Sequence, residues 1–200
     1  MATSDLEVVN IALTRIGVEP ILDLDDETDN IAVTAKTFYA QTRDHLLSQH
    51  FWNFAMKRTE LAKDAIAPAF GWSARFKIPG DYLLMYETYP YHFNYEIEGS
   101  YILCNLTTLK MKYVAQVLAA VNFHPSFTEA LTYALAARMA WQMTQSRSLM
   151  QDMEDKYQEV IRNAKSTDAI AAPMNELIDD TFLDSRVSGP QPYGRFGDNY

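Results

Sequence analysis

Apolar residues recur at alternating steps of three and four between His124 and Lys165, which is the spacing of helices with one buried face. A short polar turn divides this stretch, so the pattern predicts two helices packed as a hairpin. The first helix begins either at Pro125 or at the capping box Ser126-x-x-Glu129. The predicted inward residues are Phe127, Leu131, Ala134, Leu135 and Trp141 in the first helix, and Met150, Met153, Tyr157, Val160 and Ala164 in the second.

Two more helices are predicted near the N-terminus. The capping box Ser4-x-x-Glu7 precedes an apolar stripe with helical spacing. Gly17 then stands where a left-handed helix cap falls, so the first helix spans residues 5–16. The second spans about residues 30–48. Its predicted inward residues are Ile31, Ala35, Phe38, Thr42, His45 and Leu46.

Carboxylates alternate along the segment between these two helices, at Asp23, Asp25, Glu27 and Asp29. The spacing is similar to that of a calcium loop, whose sixth position is glycine and whose twelfth is a bidentate carboxylate. Those positions hold Thr28 and Thr34 here. Because acidic residues before a helix also stabilise its positive end, we interpret the segment as a helix cap rather than as a metal site.

The middle third of the chain alternates apolar and polar residues with a period of two, which predicts strands. The alternation runs through residues 72–78 and through much of 93–113. Pro79-Gly80-Asp81 and Gly99-Ser100 supply the turns. We therefore predict a small antiparallel β-sheet, inserted between the helices at about residues 52–114.

Three neighbouring segments are predicted from shorter patterns. The apolar run YLLMYE, at residues 82–87, predicts a helical turn. Residues 114–121 predict a short helix that leads into the helical hairpin. The composition changes after Lys165, so residues 166–173 predict a linker.

The C-terminal stretch SGPQPYGRFGDNY is rich in glycine and proline and cannot build a core of its own. Residues 175–184 have the pattern of one or two amphipathic turns. A segment of this kind becomes ordered when it binds a partner. The predicted fold is therefore mainly α, within the α+β class: an α-helical bundle domain at residues 1–165 with the inserted β-sheet, and an extended C-terminal arm at 166–200 that docks on a partner.

The chain is acidic, with a formal net charge of −9, so neither nucleic acid nor an anionic membrane is expected to bind it non-specifically. Cys104 is its one cysteine, which excludes an internal disulfide and predicts a reducing compartment. The N-terminus lacks the pattern of a signal peptide, and no apolar stretch approaches the roughly 20 residues that span a bilayer. We expect a soluble protein that is made in a cytoplasm.

The sequence contains no motif for phosphate binding, zinc hydrolysis or acyl transfer, and its histidines are scattered, so no cofactor, metal site or catalytic residue is predicted. One chemical hypothesis remains. Glu87, Glu96 and Glu98 lie among tyrosines, and two carboxylates beside aromatic platforms are what a glycoside hydrolase needs. The alternative for these residues is a solvated strand face or an oligomer interface.

The basic residues of the middle third alternate along strands, and we interpret them as solvated faces, because a DNA groove needs a continuous basic stripe. They are Lys57, Arg58, Lys63, Lys110 and Lys112.

Five segments occur in a distinctive order between residues 6 and about 165. They are VVNIALTRIGVEPI with LDLDDETDNIA, YAQTRDHLLSQHFWNFAMKRTELA, IPGDYL, EGSYILCN, and NFHPSFTEALTYALAARMAWQMT. In this order and spacing the chain resembles the head-to-tail adaptor family of short-tailed bacteriophages, also called tail tubular protein A. The most specific segment is Arg43 to Ala55, which ends in WNFA.

The resemblance implies a structural virion protein rather than an enzyme. Family members form a dodecameric homo-oligomeric ring beneath the portal protein, continue its DNA channel, and carry the tail nozzle protein on their lower face. The helical bundle makes the ring wall, DNA passes through the lumen without specific binding, and no membrane is involved. The alternative from another class is a virion-associated peptidoglycan hydrolase, a role suggested for some similar adaptors.

The resemblance also implies that the C-terminal extension grips the portal protein at the head–tail interface of the virion. The predicted contacts are the apolar, aromatic and arginine side chains of the arm, because aromatic residues and arginine concentrate binding energy at interfaces. They are Leu177, Phe182, Leu183, Arg186, Tyr193, Phe196 and Tyr200.

Overall fold

The computed structural model describes residues 4–171, in which helices flank a group of strands. The α-helices are α1 (Asp5–Arg15), α2 (Asn30–Ser48), α3 (Pro125–Thr144) and α4 (Arg147–Ala171). The β-strands are β1 (Met56–Leu61), β2 (Ala74–Lys77), β3 (Tyr82–Tyr89), β4 (Tyr95–Glu98), β5 (Tyr101–Cys104) and β6 (Leu109–Ala115). Short 3₁₀ turns at Asn53–Ala55 and Ala120–Asn122 join the strands to the helices. The predicted α+β class is confirmed.

The helix starts follow the capping residues that the sequence predicts. The hydroxyl of Ser4 accepts a hydrogen bond from the backbone N–H of Glu7 at 3.1 Å, which satisfies one free donor at the start of α1. Asp29 accepts one at 2.8 Å from an N–H in the first turn of α2. Pro125 is the first residue of α3, so the proline start is correct and the Ser126 capping box is not used.

The acidic segment before α2 uses its carboxylates locally. Asp23, Asp26 and Asp29 each accept a hydrogen bond from the backbone N–H two residues further on. Asp25 forms an ion pair with Lys36 at 2.7 Å. Residues 4–171 contain no cluster of side chains suited to holding a metal ion. The predicted role of this acidic segment in capping α2 is confirmed by Asp29, which is the N-cap residue.

Helix α3 is the centre of the helical core and packs against α1, α2 and α4. Its Phe127 is fully buried and meets Trp52 edge to face, with ring centroids 5.0 Å apart. Trp52 follows α2 directly, and its indole N–H donates to the carbonyl of Leu46 at 2.9 Å. Phe54 and Phe123 extend the same cluster. The chain before α3 and the chain after α2 are thereby held against one helix.

The strands form two antiparallel sheets, ordered β1-β6-β3 and β2-β5-β4. One cluster of buried side chains lies between them and includes Leu61 and Met111 from the first sheet and Phe76 and Ile102 from the second. After β1 the chain continues alongside β2, where the N–H of Asp64 donates to the carbonyl of Arg75 at 2.9 Å. The arrangement is a small sandwich whose strands all lie between residues 56 and 115.

The predicted helical turn at residues 82–87 is wrong, because these residues belong to β3. Tyr82 pairs with Ala115 and Met85 pairs with Tyr113. A short continuous apolar run has neither helical nor strand periodicity, so the local pattern could not distinguish the two states. Pairing with β6, which is remote in sequence, decides for the strand.

The predicted short helix at residues 114–121 is also wrong. Val114 is extended because it pairs with Met56 on one side and with Leu84 on the other. Ala115 ends β6, and the only helical residues nearby are the 3₁₀ turn Ala120–Asn122. Backbone pairing with a strand on each side outweighs the helical preference of this short segment.

The predicted linker at residues 166–173 is contradicted over 166–171, which are the last residues of α4. Tyr157, Ile161, Ala164 and Asp168 form one buried stripe with steps of four, three and four. The change in composition after Lys165 does not mark the helix end, because Asp168 is buried as part of this stripe. Residues 172–200 lie outside the described part of the chain.

Two predicted inward stripes need correction. Trp141 is 43% exposed, and the guanidinium of Arg147 lies 5.5 Å from its ring centroid. In α2 the predicted Ile31 and Phe38 are half-buried and His45 is exposed. Ala35, Thr42 and Leu46 are buried as predicted, and the other buried residues of α2 are Ala32, Tyr39, Arg43 and Leu47. Steps of three and four give the period of a helix, but the neighbouring elements decide which face is buried.

Replacement of Phe127 by alanine tests the central position of α3. We expect Phe127→Ala to lower the free energy of unfolding by about 3–5 kcal/mol, because it removes a fully buried ring and leaves a cavity. Trp141→Ala is the control on the same helix, and it should change the free energy by less than about 1 kcal/mol. Urea titration followed by circular dichroism measures both, and equal losses would contradict the assigned core.

Candidate partner interface

The predicted portal contacts, from Leu177 to Tyr200, lie outside the described residues and stay a prediction. The described chain ends at Ala171, the last residue of α4. Two features of residues 4–171 bear on contacts with other chains. They are the end of α4 and the exposed faces of the sheets.

The end of α4 is fastened to the chain segment that precedes β1. Asp168 is only 5% exposed, and both of its carboxylate oxygens lie 3.2 Å from the backbone N–H of Asn53, which donates to them. The side-chain amide of Asn53 donates in turn to the carbonyl oxygen of Asp168 at 2.7 Å. Asn53 donates all of these bonds, from its backbone and from its side chain, and together they hold the last turn of α4 in place.

His50 completes this attachment. Its Nε2 lies 3.3 Å from a carboxylate oxygen of Asp168, and its ring meets Trp52 edge to face with centroids 4.9 Å apart. Burial lowers the pKa of His50 below its usual value of 6.5, and the neighbouring Asp168 carboxylate only partly opposes this effect. The ring is therefore neutral at neutral pH and acts as a hydrogen-bonding partner of Asp168.

The outer face of the β1-β6-β3 sheet forms a shallow groove of about 460 Å³. In one row across this face Arg58 stands opposite Lys112, which stands opposite Glu87. The next row is Glu60, Lys110 and Tyr89. Tyr91 also lines the groove. We name this surface the cationic groove, after Arg58, Lys110 and Lys112.

The charges of the cationic groove are only partly neutralised by their neighbours. The ammonium of Lys110 is 3.7 Å from a carboxylate oxygen of Glu60, a long contact between exposed groups. Lys112 instead lies over the ring of Tyr86, with its ammonium 4.1 Å from the centroid. Within residues 4–171 neither Arg58 nor Lys112 forms an ion pair.

The alternation of these basic residues along the sequence predicts solvated strand faces. Their alternation along two strands was visible, but the strands are about 50 residues apart and their pairing was not. The register brings Arg58 next to Lys112. Lys57 and Lys63 do not line the groove. The ammonium of Lys57 donates to Asp81 at 2.7 Å, and the backbone of Lys63 pairs with Phe76 of the other sheet.

Of the three carboxylates of the hydrolase hypothesis, Glu87 lies apart from the other two, and Glu96 and Glu98 share one exposed strand. Glu87 belongs to β3 in one sheet, whereas Glu96 and Glu98 belong to β4 in the other. Glu96 accepts a hydrogen bond from the indole N–H of Trp72 at 3.1 Å, and both β4 carboxylates are exposed. Neither is enclosed by the apolar surroundings that a general acid of this kind requires. The arrangement suits a solvated sheet face.

The basic and tyrosine side chains of the cationic groove stand on an open sheet face, where they can contact another chain. The chain matches the model of the tail tubular protein family over residues 6–160. It therefore belongs to that family, as its sequence resemblance indicates, and is a structural protein of the phage tail.

Membership of this family implies assembly with other components of the virion tail. The match covers α1 to α3 and much of α4, together with both sheets. No curated protein sequence matches the chain. Among residues 4–171, none of the helices combines the length and the apolar character needed to cross a membrane.

Removal of the Asp168 carboxylate tests the attachment of α4. Asp168→Ala removes the buried carboxylate that accepts from the N–H of Asn53, so we expect a loss of about 1–3 kcal/mol in the free energy of unfolding. Amide hydrogens in the last turn of α4 should also exchange faster. The exposed neighbour Thr167→Ala is the control and should stay within about 0.5 kcal/mol of the parent protein. Unchanged exchange in Asp168→Ala would contradict the attachment.

Acid should weaken the same attachment through His50. Its pKa in the folded protein lies below the unfolded value of 6.5, so the folded state binds fewer protons in that range. The stability contributed by the neutral ring is complete above pH 6.5 and is lost as the pH falls through the folded pKa. Between about pH 7.5 and about pH 5.5 the parent protein should lose more unfolding free energy than His50→Gln, measured by urea titration. Parallel losses would argue against this role.

Proposed function

We propose that this tail tubular protein is the head-to-tail adaptor of a short-tailed phage. Identical subunits, twelve by the family resemblance, form a ring between the portal protein and the tail nozzle protein at the head–tail interface. The helices make a bundle in the ring wall, and the ring continues the DNA channel. The family match over residues 6–160 is the observation that carries this proposal.

The C-terminal arm is the part that binds the portal protein. Its composition supports this role, because residues 172–200 combine aromatic side chains and arginine with many glycines and prolines. The fastened end of α4 adds a second support. Asp168 and Asn53 hold the start of the arm in one place on every subunit, so a ring of subunits presents its arms in a regular array.

Ring closure follows from attachment to the portal. A ring needs a head-to-tail contact between two different surfaces of the subunit, and such a contact is weak for an isolated pair. When several arms bind one portal ring, the subunits are held side by side at a high effective concentration. Weak lateral contacts are then sufficient to close the ring. The subunits are made in the host cytoplasm and assemble there.

The charge of the chain suits a passage for DNA. A net charge of −9 disfavours binding to the phosphate backbone, so DNA slides through the lumen without being held. The adaptor carries no cofactor and no catalytic residue in this proposal. Its work is to join two components of the virion and to leave the channel open during genome ejection.

Deletion of residues 172–200 tests the proposed role of the arm. The deletion must begin after Ala171, because residues 166–171 complete α4 and contain Asp168. We expect the shortened protein to keep its helical circular dichroism signal but to lose co-sedimentation with portal rings. In the full chain, Tyr193→Ala with Phe196→Ala should weaken co-sedimentation by roughly tenfold or more, since aromatic anchors dominate interface energy.

Asp198→Ala is the control within the same stretch, and it should leave portal binding nearly unchanged. Co-sedimentation of the deleted protein at the level of the full chain would rule out the arm as the portal contact. A full chain that forms no ring on portal would rule out the adaptor role itself.

A further inference from the structure

The cationic groove has the composition of a binding surface for an acidic segment. Arg58 and Lys112 lack ion-pair partners within residues 4–171. Tyr89 and Tyr91 are 58% and 57% exposed, and their rings meet edge to face with centroids 5.6 Å apart. Unpaired cations beside exposed aromatic rings favour an occupant that carries both carboxylates and apolar side chains.

The chain itself contains such a segment close to the start of its arm. Residues 175–184 read NELIDDTFLD, with carboxylates at Glu176, Asp179, Asp180 and Asp184 and no basic residue. Between the carboxylates lie Leu177, Ile178, Phe182 and Leu183. The segment therefore supplies the negative charge and the apolar groups that complement the groove.

The end of α4, from which this segment follows, is connected to the strand that lines the groove. Asp168 in the last turn of α4 is bonded to Asn53, and Arg58 follows Asn53 by five residues along the chain into β1. Five residues span at most about 18 Å even when fully extended. The four residues from Ala171 to Asn175 cover up to about 14 Å in the same way. Residues 175–184 can therefore reach the cationic groove of their own subunit.

We propose that residues 175–184 occupy the cationic groove of the same subunit until the arm is transferred to the portal protein. The inference rests on the proposed function and adds a regulatory contact to it. Portal can bind only the fraction of arms that is undocked. The apparent affinity of the arm for portal is therefore reduced in proportion to that fraction. Portal then competes with the groove, and free subunits hold their arms back from premature contacts.

Amide hydrogen exchange on the full chain tests the docking. Residues 177–184 should exchange roughly tenfold more slowly in the parent protein than in Arg58→Glu with Lys112→Glu, because docking shields amides that are otherwise open to water. Lys63→Glu with Lys77→Glu is the control; it makes the same change in net charge at exposed residues outside the groove. The control should keep the slow exchange of the parent.

A second variant changes the docking segment instead of the groove. Phe182→Asp with Leu183→Asp removes apolar side chains of the segment and leaves residues 4–171 unaltered. It should abolish the slow exchange of residues 177–181 as the groove variant does. Equal exchange in the parent and in both variants overturns the docking. Slow exchange that appears only at high protein concentration assigns the groove to the arm of a neighbouring copy and overturns docking within one subunit.

Portal co-sedimentation separates this inference from the proposed function. The groove variant should bind portal at least as tightly as the parent, because the competing site is lost. Portal binding by the parent without slow exchange of residues 177–184 refutes the docking and leaves the adaptor role intact. Slow exchange without any portal binding refutes the adaptor role and the transfer of the arm to portal. Weaker portal binding by the groove variant than by the parent contradicts the competition.

Discussion

The contact between Trp52 and Phe127 is the interaction on which the rest of the structure depends. It joins the end of α2 to the first turns of α3, and these two elements are separated in sequence by the whole sandwich. Burying two large rings edge to face supplies apolar area and a directional contact at once. The contact closes the loop of chain that contains both sheets. The stretch 43–55, which carries the most specific part of the family resemblance, is the segment that makes this closure.

The same junction also holds the end of α4. His50, Trp52 and Asn53 lie within four residues of one another along the chain. Trp52 packs on Phe127, whereas His50 and Asn53 contact Asp168. Any change that loosens the aromatic contact therefore also loosens the end of α4. Stability of the body and attachment of the end of α4 are coupled through these few residues.

The surfaces of the sandwich show how an acidic protein can still carry a cationic site. The net charge of −9 describes the chain as a whole, whereas Arg58, Lys110 and Lys112 are gathered on one face by the pairing of β1 with β6. Exposed charges interact strongly only over about a Debye length, roughly 8 Å in physiological salt. A short charged segment bound at this face therefore interacts mainly with the charges of the groove and little with the net charge of the whole chain.

The sequence by itself determined the local elements: the helix periods, the caps at Ser4 and Asp29, the proline start of α3 and most of the strand alternation, because these depend on residues a few positions apart. The family resemblance was also visible from the order of segments. Only the tertiary structure decided that residues 82–87 form a strand, that α4 continues to Ala171, and that basic residues of β1 and β6 share a groove. Each of these depends on a partner remote in sequence: β6 for β3, Asn53 for Asp168, and Lys112 for Arg58. Long-range pairing overrides short patterns because burial and hydrogen bonding at such contacts outweigh local preferences.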